Sequence, residues 1–406
     1  MTIRQHPFVR ALTIASLLIG GRVSAQQFVA DIPVKPFAEP SGSYSVGTAD
    51  WLWSDTTRAE RYTKDPRDTR KLPIKVWYPA DVSRGAPRAP YVPTPAEFGP
   101  NSPLKALSHV MTNSVLGAPL SSGERTYPVI VYNHGAGWPR FSATFITELL
   151  ASHGYVVVSV EHPGMDQTVL FSDGATFNPD TLLGPPRDPS ADPRTSLART
   201  NDFLNTVAFP IWLDDSRFVL DKLEGLNRAE GPFRGRLDLD RIGMLGWSFG
   251  GAAALEMLRT DPRVKVAVNH DGRLFGGAMT QPIGRPFMMF HHGINDLSGA
   301  PEALRAAAQE NLATIFGLDS AARARAASDW YDVTIARTNH GHFSDLPLFM
   351  SLFRDTTLLG ARRDHEIIAA YTVAFFDQYL RGQASRLLDA ATSPYSEATF
   401  RSSKRQ

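Results

Sequence analysis

The chain of 406 residues contains no cysteine. Disulfide bonds, cysteine-ligated metal sites and a lipid-modified cysteine anchor are therefore excluded. A protein without disulfides has to be stabilised by its core. Hydrophobic residues make up 43% of the sequence, which is enough for a sizeable core in a chain of this length.

An excess of charge of one sign is also lacking. The chain has 42 lysines and arginines against 41 acidic residues, a formal net charge of +1, and no block of like charge. Electrostatics therefore predict no nucleic-acid partner. The sequence has no H-E-x-x-H motif, no P-loop and no G-x-G-x-x-G that opens a helix near the N-terminus. We accordingly expect no metal and no cofactor.

Long apolar runs are confined to the N-terminus. Arg4 and Arg10 precede a short apolar stretch at 11–21, and Val23-Ser24-Ala25 supplies the small residues that signal peptidase requires. This pattern predicts a signal peptide over 1–25 and a secreted or periplasmic protein. The stretch is too short to cross a bilayer comfortably, and no later stretch is apolar enough, so no integral membrane segment is expected after cleavage.

The rest of the chain predicts one α/β domain over 71–382. Apolar strands alternate with segments of helical spacing, which indicates a mostly parallel central sheet with helices on both faces. Residues 26–70 are interpreted as an extended N-terminal arm and 383–406 as a polar, frayed tail. The Pro-rich segments 80–125 and 172–195 are candidates for a lid or the rim of a pocket.

The segment 246–250, Gly-Trp-Ser-Phe-Gly, carries the strongest functional signal. It follows an apolar strand and leads into an Ala-rich helix. A serine between two glycines at such a strand-to-helix turn is typical of a nucleophile elbow, in which a strained backbone lifts the hydroxyl above the sheet edge. The pattern predicts Ser248 as a nucleophile.

A serine hydroxyl needs a base, usually a histidine oriented by a carboxylate. His340 and His342 both follow the last predicted strand, and His340 is favoured because it lies nearer to the strand end. Two acids compete, Asp271 after the first strand beyond the elbow and Asp296 after the second. Both stand at carboxyl ends of strands, and position alone does not decide between them.

An oxyanion intermediate needs two backbone N–H donors. One is expected from Phe249, the residue after the nucleophile. The other is expected from the Gly-rich loop 133–138 after an early strand, where glycines let the backbone approach a substrate.

Together these segments resemble the platelet-activating factor acetylhydrolase group of α/β-hydrolases. The likeness lies in 127–137, 151–162, 240–252, 269–272 and 340–345, and it covers roughly 70–380. It implies the α/β-hydrolase fold, the triad Ser248, Asp271 and His340, and Ala136 with Phe249 as oxyanion donors. It favours Asp271 as the acid.

One departure keeps Asp296 open as the alternative acid. Trp247 stands where the group commonly has histidine, a feature shared with secreted polyester hydrolases that take their acid from the later strand. Trp247 itself is expected to pack beneath the nucleophile rather than contact substrate.

The resulting hypothesis is a secreted serine carboxylic-ester hydrolase that acts through an acyl-enzyme. The resemblance implies short acyl esters such as acetylated phospholipid-like substrates. Polyesters or longer-chain lipids are the alternative, and a non-catalytic ligand-binding protein on the same scaffold is the remote one. The expected partner is a small ester or lipid molecule; the oligomeric state and the physiological ester stay open.

Overall fold

The computed structural model describes residue 33 and residues 35–403, apart from 62, 64, 99–102, 166–189, 294–300 and 350–358. The predicted signal peptide lies outside these residues, as does most of the predicted rim segment 172–195. The strands are β1 Ser45–Ala59, β2 Thr69–Ala80, β3 Val115–Leu116, β4 Tyr127–Asn133, β5 Val156–Val160, β6 Leu237–Trp247, β7 Val264–His270, β8 Phe287–His292, β9 Trp330–Ile335 and β10 Ala398–Ser402. The α-helices are α1 Thr144–Ser152, α2 Pro193–Phe203, α3 Phe209–Arg228, α4 Phe249–Thr260, α5 Glu302–Arg325, α6 Leu346–Phe349, α7 Ala361–Leu380 and α8 Arg386–Asp389.

The described strands form one sheet in the order β10-β9-β8-β7-β6-β4-β5-β2-β1-β3. Strands β4 to β9 are mutually parallel, whereas β2 runs antiparallel to β5 and β10 runs antiparallel to β9. A parallel neighbour requires a crossover, and helices supply it on both faces. The predicted α/β-hydrolase architecture, with a mostly parallel sheet, is confirmed.

Two apolar clusters hold the layers together. Along β4, Val129 and Val131 face the cluster that includes α3 and α4, while Ile130 and Tyr132 face the cluster that includes α1 and α7. Every residue of β4 is buried. A strand covered on both faces is apolar on both, which explains its unbroken hydrophobic run.

Both termini of the described chain differ from expectation. The predicted arm contains β1, which pairs with β2 over most of its length. The predicted frayed tail contains α8 and the edge strand β10, in which Phe400 is buried. The polar composition of both segments conceals their strands, because a strand near the edge of a sheet exposes one face to water and alternates between polar and apolar residues.

The helical segment predicted over 199–226 is longer and interrupted. It is α2 and α3, joined by a π-helical turn over Leu204–Ala208. Pro210 has no N–H to give to a carbonyl one turn earlier, and the wider turn accommodates that missing bond. Within the described residues, no helix is both long and apolar enough to cross a membrane.

Candidate active site

Ser248 lies at the turn between the central strand β6 and helix α4. Its backbone has φ 58° and ψ −122°, a left-handed conformation that is strained for a residue with a side chain. A Cβ on Gly246 would overlap the carbonyl of Gly250, and one on Gly250 would overlap the carbonyl of Asn133. The two flanking glycines are therefore required by the close crossing of strand, turn and helix, as the elbow pattern predicts.

His340 enters the site from the turn after β9. Asn339 caps this turn, its side chain accepting the N–H of Gly341 at 3.0 Å. The indole Nε1 of Trp247 donates to the carbonyl oxygen of His340 at 3.0 Å, and Trp247 is only 2% exposed. Trp247 thus packs beneath the site and ties the histidine turn to the elbow.

The structure brings Ser248, His340 and Asp271 into one hydrogen-bonded chain. His340 Nε2 lies 2.9 Å from Ser248 Oγ, and His340 Nδ1 lies 2.5 Å from Asp271 Oδ2. Because an ionised carboxylate can only accept, Nδ1 carries the proton and the neutral ring leaves Nε2 to accept from the serine. This arrangement can remove a proton from the Ser248 hydroxyl.

Asp271 follows β7 directly, at a φ of 57°. The side chain of Asn269 closes this turn, since its amide exchanges hydrogen bonds with the N–H and carbonyl of Gly272, each at 2.7 Å. The turn therefore holds the carboxylate above the sheet edge. Asp296, the alternative acid, lies outside the described residues.

The Asp271 carboxylate has a second histidine partner that the sequence interpretation missed. His292 Nδ1 lies 2.5 Å from Asp271 Oδ2, and the backbone N–H of His292 donates to Oδ1 at 3.1 Å. Burial alone would raise the pKa of Asp271, but His292 and His340 hold that pKa well below its usual range. The sequence contained a signal for this contact, because His292 ends β8 and Asp271 directly follows β7, the neighbouring strand.

The adjacent His291 does something different. It is buried and its Nε2 lies 3.2 Å from Asp332 Oδ2. Successive residues of a strand point to opposite faces, so only His292 reaches Asp271.

The two predicted oxyanion donors come from different segments of the chain. Phe249 is the first residue of α4, and Ala136 lies in the loop after β4. Among the described residues neither N–H donates a hydrogen bond to another group, and that of Phe249 stands at a helix N-terminus. Such N–H groups favour negative charge.

A buried polar network supports the Ala136 loop. His162 Nδ1 lies 2.9 Å from Asp215 Oδ2, to which it donates its one proton, and its Nε2 lies 2.8 Å from the side-chain amide of Asn133. Arg70 holds Asp215 with two further bonds at 3.1 and 2.7 Å. Burial lowers the pKa of His162 to about 3, so the ring stays neutral and links Asn133 to Asp215.

Asp271, His292 and His340 are also the one grouping in the described part of the chain with the spacing of metal ligands, their donor atoms lying within 4.8 Å of one another. Both imidazoles already donate to the carboxylate, which accounts for that spacing. A groove of about 800 Å³ lies elsewhere, bordered by α1 and α7, and contains none of the residues that contact Ser248.

Comparison with known proteins agrees with this architecture. A general model of the α/β-hydrolase family matches residues 129–397. The chain belongs to the α/β-hydrolase family. The family model for platelet-activating factor acetylhydrolase, isoform II, matches residues 33–173 and confirms the resemblance drawn from the sequence motifs.

Two curated relatives carry related names. A probable 1-alkyl-2-acetylglycerophosphocholine esterase from Arthroderma benhamiae is 27% identical over 296 residues, covering 67% of this chain and 66% of that protein. A platelet-activating factor acetylhydrolase from Cavia porcellus is 25% identical over 273 residues, covering 63% of this chain and 59% of that protein. This α/β-hydrolase therefore matches less than two thirds of the length of either relative.

A solved structure gives a fuller match. The ferulic acid esterase from Streptomyces cinnamoneus superposes with a TM-score of 0.64 and is 29% identical. The superposition covers 90% of this chain and 98% of that one. This α/β-hydrolase is thus similar in fold to a solved esterase over most of its length.

Proposed function

We propose that this α/β-hydrolase cleaves carboxylic esters through an acyl-enzyme formed on Ser248. The observation that carries the proposal is the hydrogen-bonded chain from Ser248 through His340 to the ionised Asp271. The esterase names of the relatives and of the solved neighbour support the same reaction class.

In the acylation step, Ser248 Oγ bonds to the ester carbonyl carbon while its proton passes to His340 Nε2. Asp271 stabilises the imidazolium that forms. The N–H groups of Ala136 and Phe249 are proposed to hold the oxyanion. The tetrahedral intermediate then collapses, and the alcohol leaves with the proton from His340.

Deacylation repeats the sequence with water. Water gives a proton to His340 and bonds to the acyl carbon, and collapse releases the carboxylic acid as the proton returns to Ser248 Oγ. The bonds and protons balance without a cofactor.

Short acyl esters, with acetylated phospholipid-like molecules among them, are the proposed substrates, because both curated relatives are named for them. A second candidate is an ester of an aromatic acid, which the ferulic acid esterase neighbour favours. We also propose that the protein is exported, which rests on the signal-peptide pattern of 1–25.

A fluorophosphonate probe tests the reaction class directly, since it labels only an activated serine. We expect labelling of the wild type and none of Ser248→Ala. Labelling of both proteins, or of neither, would contradict the proposal and leave a ligand-binding role.

A substrate panel then separates the candidates. p-Nitrophenyl esters from acetate to laurate, methyl ferulate and a polyester film should be compared by kcat/KM. Highest activity on acetate supports the short-acyl assignment; a preference for methyl ferulate, for laurate or for the film reassigns the acyl group while keeping the mechanism.

A further inference from the structure

His292 contributes two donors to one carboxylate. Its ring Nδ1 donates to Asp271 Oδ2 at 2.5 Å and its backbone N–H donates to Oδ1 at 3.1 Å. Both carboxylate oxygens are therefore fixed by a single residue at the end of β8. A carboxylate held at two points keeps its plane and its reach toward His340.

His292 and His340 share the same oxygen of Asp271. Their Nδ1 atoms each lie 2.5 Å from Oδ2, and their ring centroids are 6.0 Å apart. Since the ionised carboxylate can only accept, both Nδ1 atoms carry protons. Negative charge that stabilises one imidazole is thereby partly withdrawn from the other.

We propose that His292 is a positioning residue, which holds the Asp271 carboxylate toward His340 and draws part of its charge away from the base. This rests on the proposed function, in which His340 is the base. His292 acts through Asp271 and needs no contact with substrate.

The sign of the pH effect follows from this sharing. Activity requires neutral His340, so its acid limb marks the protonation of that ring. Removing His292 leaves the whole carboxylate charge to His340, which favours the protonated ring. The midpoint of the acid limb should therefore move to higher pH.

Other titratable groups interact with Asp271 or with His292 and set the background of such a profile. In the described part of the chain they lie directly after β7, on β8, on α5 and on the turn after β9. They are Asp271, His291, Asp319, His340 and His342. All of them are retained when His292 alone is substituted, so that the variant and the wild type differ in this one ring.

His292→Ala removes the ring donor but keeps the backbone N–H. We expect kcat on p-nitrophenyl acetate to fall about tenfold, far less than on losing a triad member. KM should stay within about twofold and the acid limb should rise by about half a pH unit or more. His292→Asn places an amide N–H near the position of Nδ1 and should restore kcat to within about threefold of wild type.

A matched control removes an imidazole far from the site. His153 lies at the end of α1, with Nδ1 4.0 Å from Asp377. His153→Asn should change neither kcat nor the acid limb. An alanine variant whose acid limb matches wild type, or alanine and asparagine variants impaired equally, would overturn the role of His292.

A measurement without catalysis separates this inference from the proposed function. In Ser248→Ala protein labelled at histidine nitrogen, NMR should show downfield Nδ1 protons from His292 and His340, besides that of His162, which contacts Asp215. Adding His292→Ala should abolish the His292 signal and raise the titration midpoint of His340. This result with an inactive wild type would contradict the esterase proposal alone; absence of the His292 signal with an active wild type would contradict only the role of His292.

Discussion

His340 and His342 stand two residues apart on one turn and each contacts an aspartate, yet their surroundings are opposite. The His340 side chain is 28% exposed, contacts Ser248 and pairs with an ionised carboxylate. His342 is fully buried, with Nε2 3.3 Å from Asp364 Oδ2. Burial lowers the pKa of His342 to about 4 and raises the pKa of Asp364 to about 8, so this second pair is neutral.

The comparison shows that a histidine–carboxylate contact does not by itself make a base. His162 with Asp215 makes the same point, since that ring stays neutral under the oxyanion loop. A base requires a nucleophile at its other nitrogen and enough solvation for its charged form. Only His340 meets both conditions among these pairs.

The largest expected effect separates the two histidines of the turn. His340→Gln should lower kcat by about 10⁵- to 10⁶-fold, because the proton acceptor for Ser248 is lost. His342→Gln should leave kcat of the folded protein within about tenfold, because that ring contacts no reacting group. Initial rates at matched folded fraction, measured by circular dichroism, make the comparison. Equal losses in both variants would contradict the assignment of His340.

The next effect concerns the acid. Asp271→Asn should lower kcat on p-nitrophenyl acetate by about 10⁴-fold, because the amide cannot stabilise the imidazolium and favours the wrong tautomer. Asp296→Asn should cost less than about tenfold. If Asp296→Asn instead caused the larger loss, the acid would be Asp296.

A stability effect of intermediate size is expected at the buried pair beneath the oxyanion loop. Asp215→Asn removes the buried carboxylate that Arg58, Arg70 and His162 contact, so that Arg70 keeps Glu60 as its counter-charge, and should lower the free energy of unfolding by about 3–5 kcal/mol. The adjacent Asp214 is a matched control, since it is half exposed and, within the described residues, pairs with Arg217 on the helix surface.

Asp214→Asn should change the free energy of unfolding by less than about 0.5 kcal/mol. Urea unfolding followed by tryptophan fluorescence measures both variants. Similar stabilities for the two would show that the buried network contributes little.

The smallest expected effect is a pH dependence of stability. The pKa of His342 is about 4 in the folded protein and 6.5 for an ordinary histidine, so the unfolded chain takes up the proton first as pH falls. Its stabilising contribution is therefore present above pH 6.5 and is lost on the way down to about pH 4. Between pH 7 and pH 4.5, the free energy of unfolding of the wild type should fall by on the order of 2 kcal/mol more than that of His342→Gln. An identical loss would mean that this ring titrates normally.

Local sequence signals predicted the centre of the site well. The glycines around Ser248 indicate that strand, turn and helix cross closely at this point. Apolar strands with intervening helices predict a parallel sheet. In the structure, Ser248, His340 and Asp271 form one chain of hydrogen bonds, as predicted. Their catalytic roles stay predictions until the variants are measured.

Other features could not be predicted from local patterns. The polar segments 45–59 and 398–402 gave no strand signal, because their strands form by pairing with β2 and β9 rather than from an apolar run of their own. The contact of His292 with Asp271 depends on the pairing of β7 with β8 across the sheet, which a local stretch of sequence does not specify.

The sequence by itself predicted the nucleophile and determined the family and the sheet that presents the site, because these depend on short-range turn chemistry and hydrophobic periodicity. Only the tertiary structure decided that His340 is solvated enough to carry a charge, that His342 is buried and neutral, and that His292 shares the carboxylate of Asp271. Those distinctions depend on burial and on hydrogen-bond partners from other strands. Neither quantity is present in a local stretch of sequence.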